Sequence, residues 1–242
     1  MSAFARPARP CSPPPTISPR RSAGDDASSG SPGGSEPLIL LVSTEASSHL
    51  DADRQGDYEG LRERLEGLAE ERCELRHYAS AGGLGDASAV VLSASNAPWS
   101  AHAPGAFEPL ERALAEAAVP VLGICAGMQL LTWFAGGEVE PLGPPSEAEI
   151  GFQPIEVVAP DDPLFRDVER EPEVFQEHTH HVSRLPSGFD VLATGSRCPV
   201  EALRHTGQPV WGVQFHPEAW DDARPAGERI LRNFFAAVRS GG

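Results

Sequence analysis

A single cysteine lies between two glycines in the segment GICAG (123–127), directly after a short apolar run. This G-x-Cys-x-G spacing is that of a nucleophile elbow, in which a strand turns sharply into a helix and leaves the nucleophile at the turn. The helix N-terminus favours a thiolate at Cys125, and the amide N–H of Ala126 can face an oxyanion. The alternative is a buried structural cysteine where a strand meets a helix. The five residues alone do not separate the two interpretations.

A histidine and a glutamate two residues apart end the segment GVQFHPE (212–218). Residues i and i+2 of an extended segment face the same way, so the carboxylate of Glu218 can orient the imidazole of His216. Pro217 between them has a fixed φ and stiffens the link. A cysteine, a histidine base and an acidic residue form the triad arrangement of nucleophilic catalysis. An ordinary solvated strand end is the alternative, and together with the elbow the triad is the better interpretation.

The elements around these residues alternate between strand and helix patterns. Apolar runs suited to buried strands alternate with amphipathic helical stripes, which is typical of an α/β domain with helices covering a parallel sheet. The predicted strands are residues 38–42, 73–80, 89–95 and 119–124, and the predicted helices are 58–72, 107–118, the segment after Cys125, and 226–238. After Gly137 the sequence consists of short β-like pieces. We therefore predict an α/β fold with a mainly parallel sheet, helices on both faces and a small added β region.

Composition limits the classes of partner and of chemistry. The chain has 242 residues and a formal net charge of −16, which disfavours nucleic acid and anionic membranes as partners. All 19 basic residues are arginine, and the sequence contains neither a phosphate-binding loop motif nor GxGxxG. No apolar stretch is long enough to span a bilayer. The four scattered cysteines fit a reducing compartment, so we expect a cytoplasmic protein without cofactors.

The first 36 residues differ from the rest of the chain. They are rich in Pro, Ser, Gly and Arg and nearly free of large apolar residues. Such a segment cannot bury enough surface to offset its ordering entropy. We therefore predict a disordered tail over residues 1–36 and a domain over residues 37–242.

The two motifs together resemble those of the class I (triad-type) glutamine amidotransferases. GICAGMQLL (123–131) and WGVQFHPE (211–218) carry the resemblance, which extends over about residues 38–238 and is nearest to the glutaminase domain of GMP synthases. It implies a flavodoxin-like arrangement in which Cys125 attacks the side-chain amide of glutamine and forms a thioester. His216 would relay the proton and Glu218 would hold its tautomer. The ammonia would pass to an acceptor that is activated by another polypeptide, namely a separate synthase subunit.

The resemblance also implies roles for residues around the triad. Ala126 would supply one oxyanion N–H, and Gln129 with Met128 would line the glutamine pocket. Thr179 and His180 fall where the family holds the α-amino and carboxylate groups of the substrate.

One loop departs from the family pattern. The family has S-G-G-P where this chain has SASNAP (93–98). Asparagine is well suited to positive φ, so Asn96 could replace one glycine. We therefore expect the second oxyanion N–H from Asn96 or Ala97.

Three histidines allow a different interpretation, a metal site. His178 and His180 in HTHH (178–181) would share one face of a strand and could join His216 around an ion. Because this segment matches the substrate loop of the family, we predict no metal.

Two other functions remain open at this point. A γ-glutamyl peptide or amine hydrolase would use the same triad with water as final acceptor. A non-catalytic regulatory module would keep the fold, and the altered loop favours it whereas the complete triad does not.

Overall fold

The fold is described from a computed structural model, which covers residues 37–241 of the chain. The predicted tail over residues 1–36 lies outside the described residues. The four α-helices of the described part are α1 (Ala52–Ala69), α2 (Glu108–Glu116), α3 (Ala126–Phe134) and α4 (Ala226–Arg239). Its strands are β1 (Leu38–Ser43), β2 (Arg72–His77), β3 (Ala89–Leu92), β4 (Val121–Ile124), β5 (Glu138–Pro141), β6 (Glu149–Pro154), β7 (Glu156–Val157), β8 (Glu173–His178), β9 (His180–Arg184), β10 (Phe189–Thr194), β11 (Ala202–His205) and β12 (Val210–Val213). No helix within this range is long and apolar enough to cross a membrane.

The central sheet has eight strands in the order β2-β1-β3-β4-β12-β11-β10-β7. The five strands from β2 to β12 pair in parallel, which confirms the predicted parallel sheet. β11, β10 and β7 extend it with antiparallel pairs. The predicted added β region therefore lies partly in the main sheet, and the remaining strands form two small sheets, β5 with β9 and β6 with β8.

Helices cover both faces of this sheet, as predicted. Alternate residues of β1 belong to two different core clusters, because successive side chains of a strand point to opposite faces. Ile39 lies in a cluster that includes residues of α1 and α4, whereas Leu40 lies in one that includes residues of α2 and α3. The two clusters are the two halves of the core.

The first helix begins earlier than the sequence pattern indicated. The side chain of Asp51 accepts a hydrogen bond of 2.8 Å from the amide of Arg54, which caps the helix at its N-terminus. The helix ends at Glu70, which adopts the left-handed conformation with φ 58°. The predicted range 58–72 thus corresponds to a helix over Ala52–Ala69.

Candidate active site

Cys125 occupies a strained turn between β4 and α3. Its φ of 50° and ψ of −105° are unusual for a residue that is not glycine. The two flanking glycines permit this turn because strand and helix touch there. A Cβ on Gly123 would lie 2.6 Å from the backbone carbon of Gly127, and one on Gly127 would overlap the carbonyl oxygen of Leu92. The geometry is that of the predicted nucleophile elbow.

Neighbouring strands supply the surroundings of the Cys125 sulfur, which belongs to a residue only 5% exposed. The amide of Cys125 donates to the carbonyl of Val213 at 2.8 Å, so β12 holds the turn in place. The side-chain amide of Gln214 lies 3.5 Å from Sγ, and the carbonyl oxygen of Glu177 lies 4.0 Å from it. Gln214 directly follows β12, and sequence reasoning assigned it no role.

His216 lies next to Glu218 at the carboxyl edge of the sheet. Nδ1 of His216 is 2.8 Å from Oε1 of Glu218, and the amide of His216 donates to the carbonyl of Phe175 at 2.8 Å. Because β12 pairs with β4 and Val213 lies opposite Ile124, the segments that carry His216 and Cys125 leave the sheet side by side. The structure therefore brings together the three residues predicted as a triad.

The electrostatics of His216 favour its protonated form. Burial lowers the pKa of His216, but the charge of Glu218 and the sulfur of Cys125 raise it by more, so the pKa lies well above its usual value. Nε2 of His216 is buried and has no hydrogen-bond partner among the described residues. It is therefore the ring atom available for proton transfer, since Nδ1 is held by Glu218.

Gln129 and Met128 have different surroundings from those that the resemblance implies. Gln129 is 3% exposed, and its amide nitrogen donates to the carbonyl of His180 and to Oε1 of Gln214, both at 3.1 Å. Met128 is fully buried in a cluster that includes Leu203. The side chain of Met128 is therefore part of the core and does not line an open pocket. Gln129 links α3 to Gln214 and so to the cysteine.

The segment 178–180 is fixed from below by hydrogen bonds. The carbonyl of His180 accepts from Gln129 and also from Nδ1 of His178 at 3.0 Å. Thr179 is exposed, and its hydroxyl lies 3.0 Å from Nδ1 of His180. This places Thr179 and the half-buried His180 on an accessible loop that Gln129 connects to the cysteine.

The two amides predicted as the second oxyanion donor already have an acceptor. The N–H of Asn96 donates to Oε2 of Glu45 at 2.9 Å, and the N–H of Ala97 donates to Oε1 of Glu45 at 2.8 Å. The positive φ expected at Asn96 is also wrong, because it is not among the non-glycine residues with positive φ. This arrangement leaves neither amide free to bind an oxyanion.

His178 belongs to a buried polar cluster that sequence reasoning did not detect. Its Nδ1 donates to a carbonyl, so a neutral ring presents a lone pair at Nε2, which lies 3.1 Å from Oε1 of Gln176 and 3.4 Å from Oε2 of Glu149. Burial lowers the pKa of His178 to about 4 and raises the pKa of Glu149, so a proton on Glu149 satisfies this contact. Glu201, bonded to Gln176 at 3.0 Å, has its pKa raised by burial to about 8.

The predicted alternative of a three-histidine metal site does not match this geometry. Among residues 37–241, the group with metal-ligand spacing is His178, Cys198 and Glu201, whose ligand atoms lie within 4.8 Å of one another. His180 and His216 are not part of it. The thiol of Cys198 already donates to the carbonyl of Val200 at 3.3 Å.

Comparison with known proteins places this fold and site in one class. Residues 79–238 match the family described as glutamine amidotransferase class-I. The chain belongs to the class I glutamine amidotransferase family.

Within that family, GMP synthases are among the proteins similar to this chain. The chain is 43% identical over 116 residues to the glutamine-hydrolysing subunit of the GMP synthase of Pyrococcus abyssi, covering 48% of this chain and 58% of the relative. It is 36% identical over 145 residues to the glutamine-hydrolysing GMP synthase of Yarrowia lipolytica, covering 60% of this chain and 26% of the relative. The chain therefore spans less than two thirds of the length of either relative.

A solved structure supports the fold independently. A glutamine amidotransferase from Thermotoga maritima superposes with a TM-score of 0.63 at 19% identity, covering 84% of this chain and 98% of that structure. At this identity the likeness concerns the fold, and it agrees with the mainly parallel sheet described above.

Proposed function

We propose that this chain is a glutaminase that hydrolyses the side-chain amide of glutamine and supplies ammonia to a separate synthase subunit in the cytoplasm. The observation that carries the proposal is Cys125, in a positive-φ turn at the N-terminus of α3, next to a histidine bonded to a glutamate at 2.8 Å. The family membership of residues 79–238 supports the same reaction class. The archaeal relative is one subunit of a GMP synthase, which supports a separate partner for this chain.

The first half of the reaction makes a thioester and releases ammonia. The thiolate of Cys125 attacks the amide carbon, a C–S bond forms, and the carbonyl oxygen takes the negative charge. Ala126 is the first residue of α3, and its N–H has no acceptor within the helix, so it is placed to bind this oxyanion. Protonated His216 gives its Nε2 proton to the nitrogen, the C–N bond breaks, and ammonia leaves.

The second half regenerates the enzyme. Neutral His216 takes a proton from a water molecule that attacks the thioester, the C–S bond breaks, and glutamate leaves. Glu218 keeps Nδ1 of His216 protonated throughout, so Nε2 is the atom that exchanges protons. Gln214, with its amide 3.5 Å from Sγ, is placed to stabilise the thiolate in the resting state.

The test is ammonia release from glutamine by the full chain, alone and mixed with the synthetase subunit of a GMP synthase. We expect turnover in wild type, none in Cys125→Ala, and full turnover in the matched control Cys73→Ala, because Cys73 is a buried thiol whose pKa burial raises to about 12. Turnover of γ-glutamyl dipeptides without a partner, in place of glutamine turnover, would favour the γ-glutamyl hydrolase. No turnover of either substrate under any condition would favour the non-catalytic module.

A further inference from the structure

Glu45 is a buried carboxylate with an unusual number of hydrogen bonds to one loop. It lies two residues after β1, and its side chain is fully buried. Besides the amides of Asn96 and Ala97, its carboxylate accepts the hydroxyl of Ser95 at 2.9 Å. It also accepts its own neighbour's amide, from Ala46, at 3.2 Å. Three consecutive residues of the loop after β3 are thus bound to one side chain.

These bonds keep Glu45 ionised. Burial raises its pKa, but the hydrogen bonds from Asn96, Ser95 and Ala97 lower it by more, and the net shift is downward. A buried carboxylate is costly unless its lone pairs are satisfied, and here backbone amides satisfy them. The position of the loop is therefore coupled to a charge that is already in place at neutral pH.

The peptide before this anchor has a fixed orientation. The carbonyl of Ala94 accepts from the hydroxyl of Tyr58 at 2.9 Å and from the hydroxyl of Ser93 at 2.7 Å. In a trans peptide the N–H points opposite to the C=O, so the N–H of Ser95 points away from Tyr58. Within residues 37–241 this N–H donates to no protein acceptor.

The fixed peptide lies beside the nucleophile. β3 pairs in parallel with β4, and Leu92 lies opposite Gly123. Two residues further on, Ala94 leaves the sheet next to Cys125 and packs against the core cluster that contains Cys125.

We propose that Glu45 is a positioning residue that replaces the missing glycines of this loop, holding residues 94–97 so that the N–H of Ser95 serves as the second oxyanion donor. The inference rests on the proposed glutaminase function. It corrects the expectation for Asn96 and Ala97, whose amides bind the carboxylate that fixes the loop.

Strand order excludes the opposite role, in which the carboxylate fills the oxyanion site itself. β3 lies between β1 and β4 in the sheet, so Glu45 approaches the loop from the side away from Cys125. Tyr58 and Arg54 of α1 lie on that same side, with the guanidinium of Arg54 3.8 Å from the carboxylate.

The decisive variant is Glu45→Gln, which keeps the shape but offers only one acceptor atom, so one of the two backbone bonds is lost. Removing an oxyanion donor costs about 10²–10³ in rate, so we expect kcat to fall by that factor with KM little changed. Alkylation of Cys125 by iodoacetamide should proceed at the wild-type rate, because attack at a saturated carbon forms no oxyanion. The matched control is Glu71→Gln, whose carboxylate binds Ser88 at the opposite edge of the sheet and which should keep wild-type kcat.

An unchanged or increased kcat in folded Glu45→Gln would overturn the proposal, and an increase would indicate a carboxylate that blocks the site. A second readout does not depend on activity: amide hydrogen exchange at Asn96 and Ala97 should accelerate in Glu45→Gln and stay slow in Glu71→Gln. Slow exchange in both variants would contradict the clamp. A wild-type chain without glutaminase activity, but with exchange that responds to Glu45→Gln, would refute the proposed function and leave the positional role of Glu45 supported.

Discussion

The contact between β4 and α3 predicts a large effect of one methyl group at Gly123. In Gly123→Ala the new Cβ would lie 2.6 Å from backbone atoms of Gly127 and Met128, whereas ordinary contact begins at 3.4 Å. Backbone cannot rotate away as a side chain can, so α3 must move outward by about 0.8 Å or more. Overpacking of this kind costs about 1–3 kcal/mol, or about 2–12 °C in Tm for a domain of this size. Since Cys125 lies at the joint that opens, a shift of about 1 Å should lower kcat by about 10²-fold.

Three measurements on the same variant separate packing from chemistry. Thermal unfolding gives the change in stability, glutamine hydrolysis gives kcat and KM, and iodoacetamide labelling followed by peptide mapping gives the reactivity of Cys125. The control is Gly60→Ala within α1, where a Cβ meets nothing within 4 Å and where alanine should stabilise the helix by about 0.5–1 kcal/mol. Wild-type Tm and wild-type kcat in Gly123→Ala would refute the argument, because they would show that the elbow has room for a side chain.

Three further predictions concern other parts of the structure. In Gly227→Ala the new Cβ would overlap the carbonyl of Pro217, so kcat should fall at least tenfold through displacement of the histidine while iodoacetamide labelling of the cysteine persists; wild-type kcat would contradict this. Because burial raises the pKa of Glu201 to about 8, the native state binds more protons than the unfolded state between about pH 4.5 and 8, and stability falls as pH rises there by up to about 1.4 kcal/mol per pH unit. Denaturant midpoints at pH 5 and pH 8 should show a smaller difference in Glu201→Gln than in wild type, and an equal difference would refute the assignment. Elemental analysis of dialysed protein should find no stoichiometric zinc, and zinc that is lost in both His178→Ala and Cys198→Ala would show that the buried cluster is a metal site.

The parts that could be predicted from sequence are those that depend on local pattern. The apolar run at 38–42 has no choice but to be buried, and it forms β1 at the predicted place. The elbow could be predicted because its glycines are adjacent in sequence to the residue that they serve. The pairing of His216 with Glu218 follows from strand periodicity over two residues.

The parts that sequence could not provide depend on contacts between distant segments. Nothing in the sequence near Asn96 indicates that its amide is bound by Glu45, because β1 and β3 are joined only through the sheet order. The buried group around His178 likewise assembles from β6, β8 and the segment before β11. The one local signal for Glu45 was an acidic residue directly after an apolar strand, and such residues are common on exposed loops as well.

The packing of α4 has a consequence for the order in which the working enzyme is made. Gly227 touches Pro217, while Phe234 packs its ring 5.9 Å from Trp211 of β12, so the last helix supports the segment that carries the histidine. A ribosome delivers Cys125 well before residues 226–239, and during that interval the nascent chain has its nucleophile without a fixed proton carrier. Ammonia release is therefore switched on by the final folding step of the described chain. A free growing polypeptide does not consume glutamine before it is able to meet a partner.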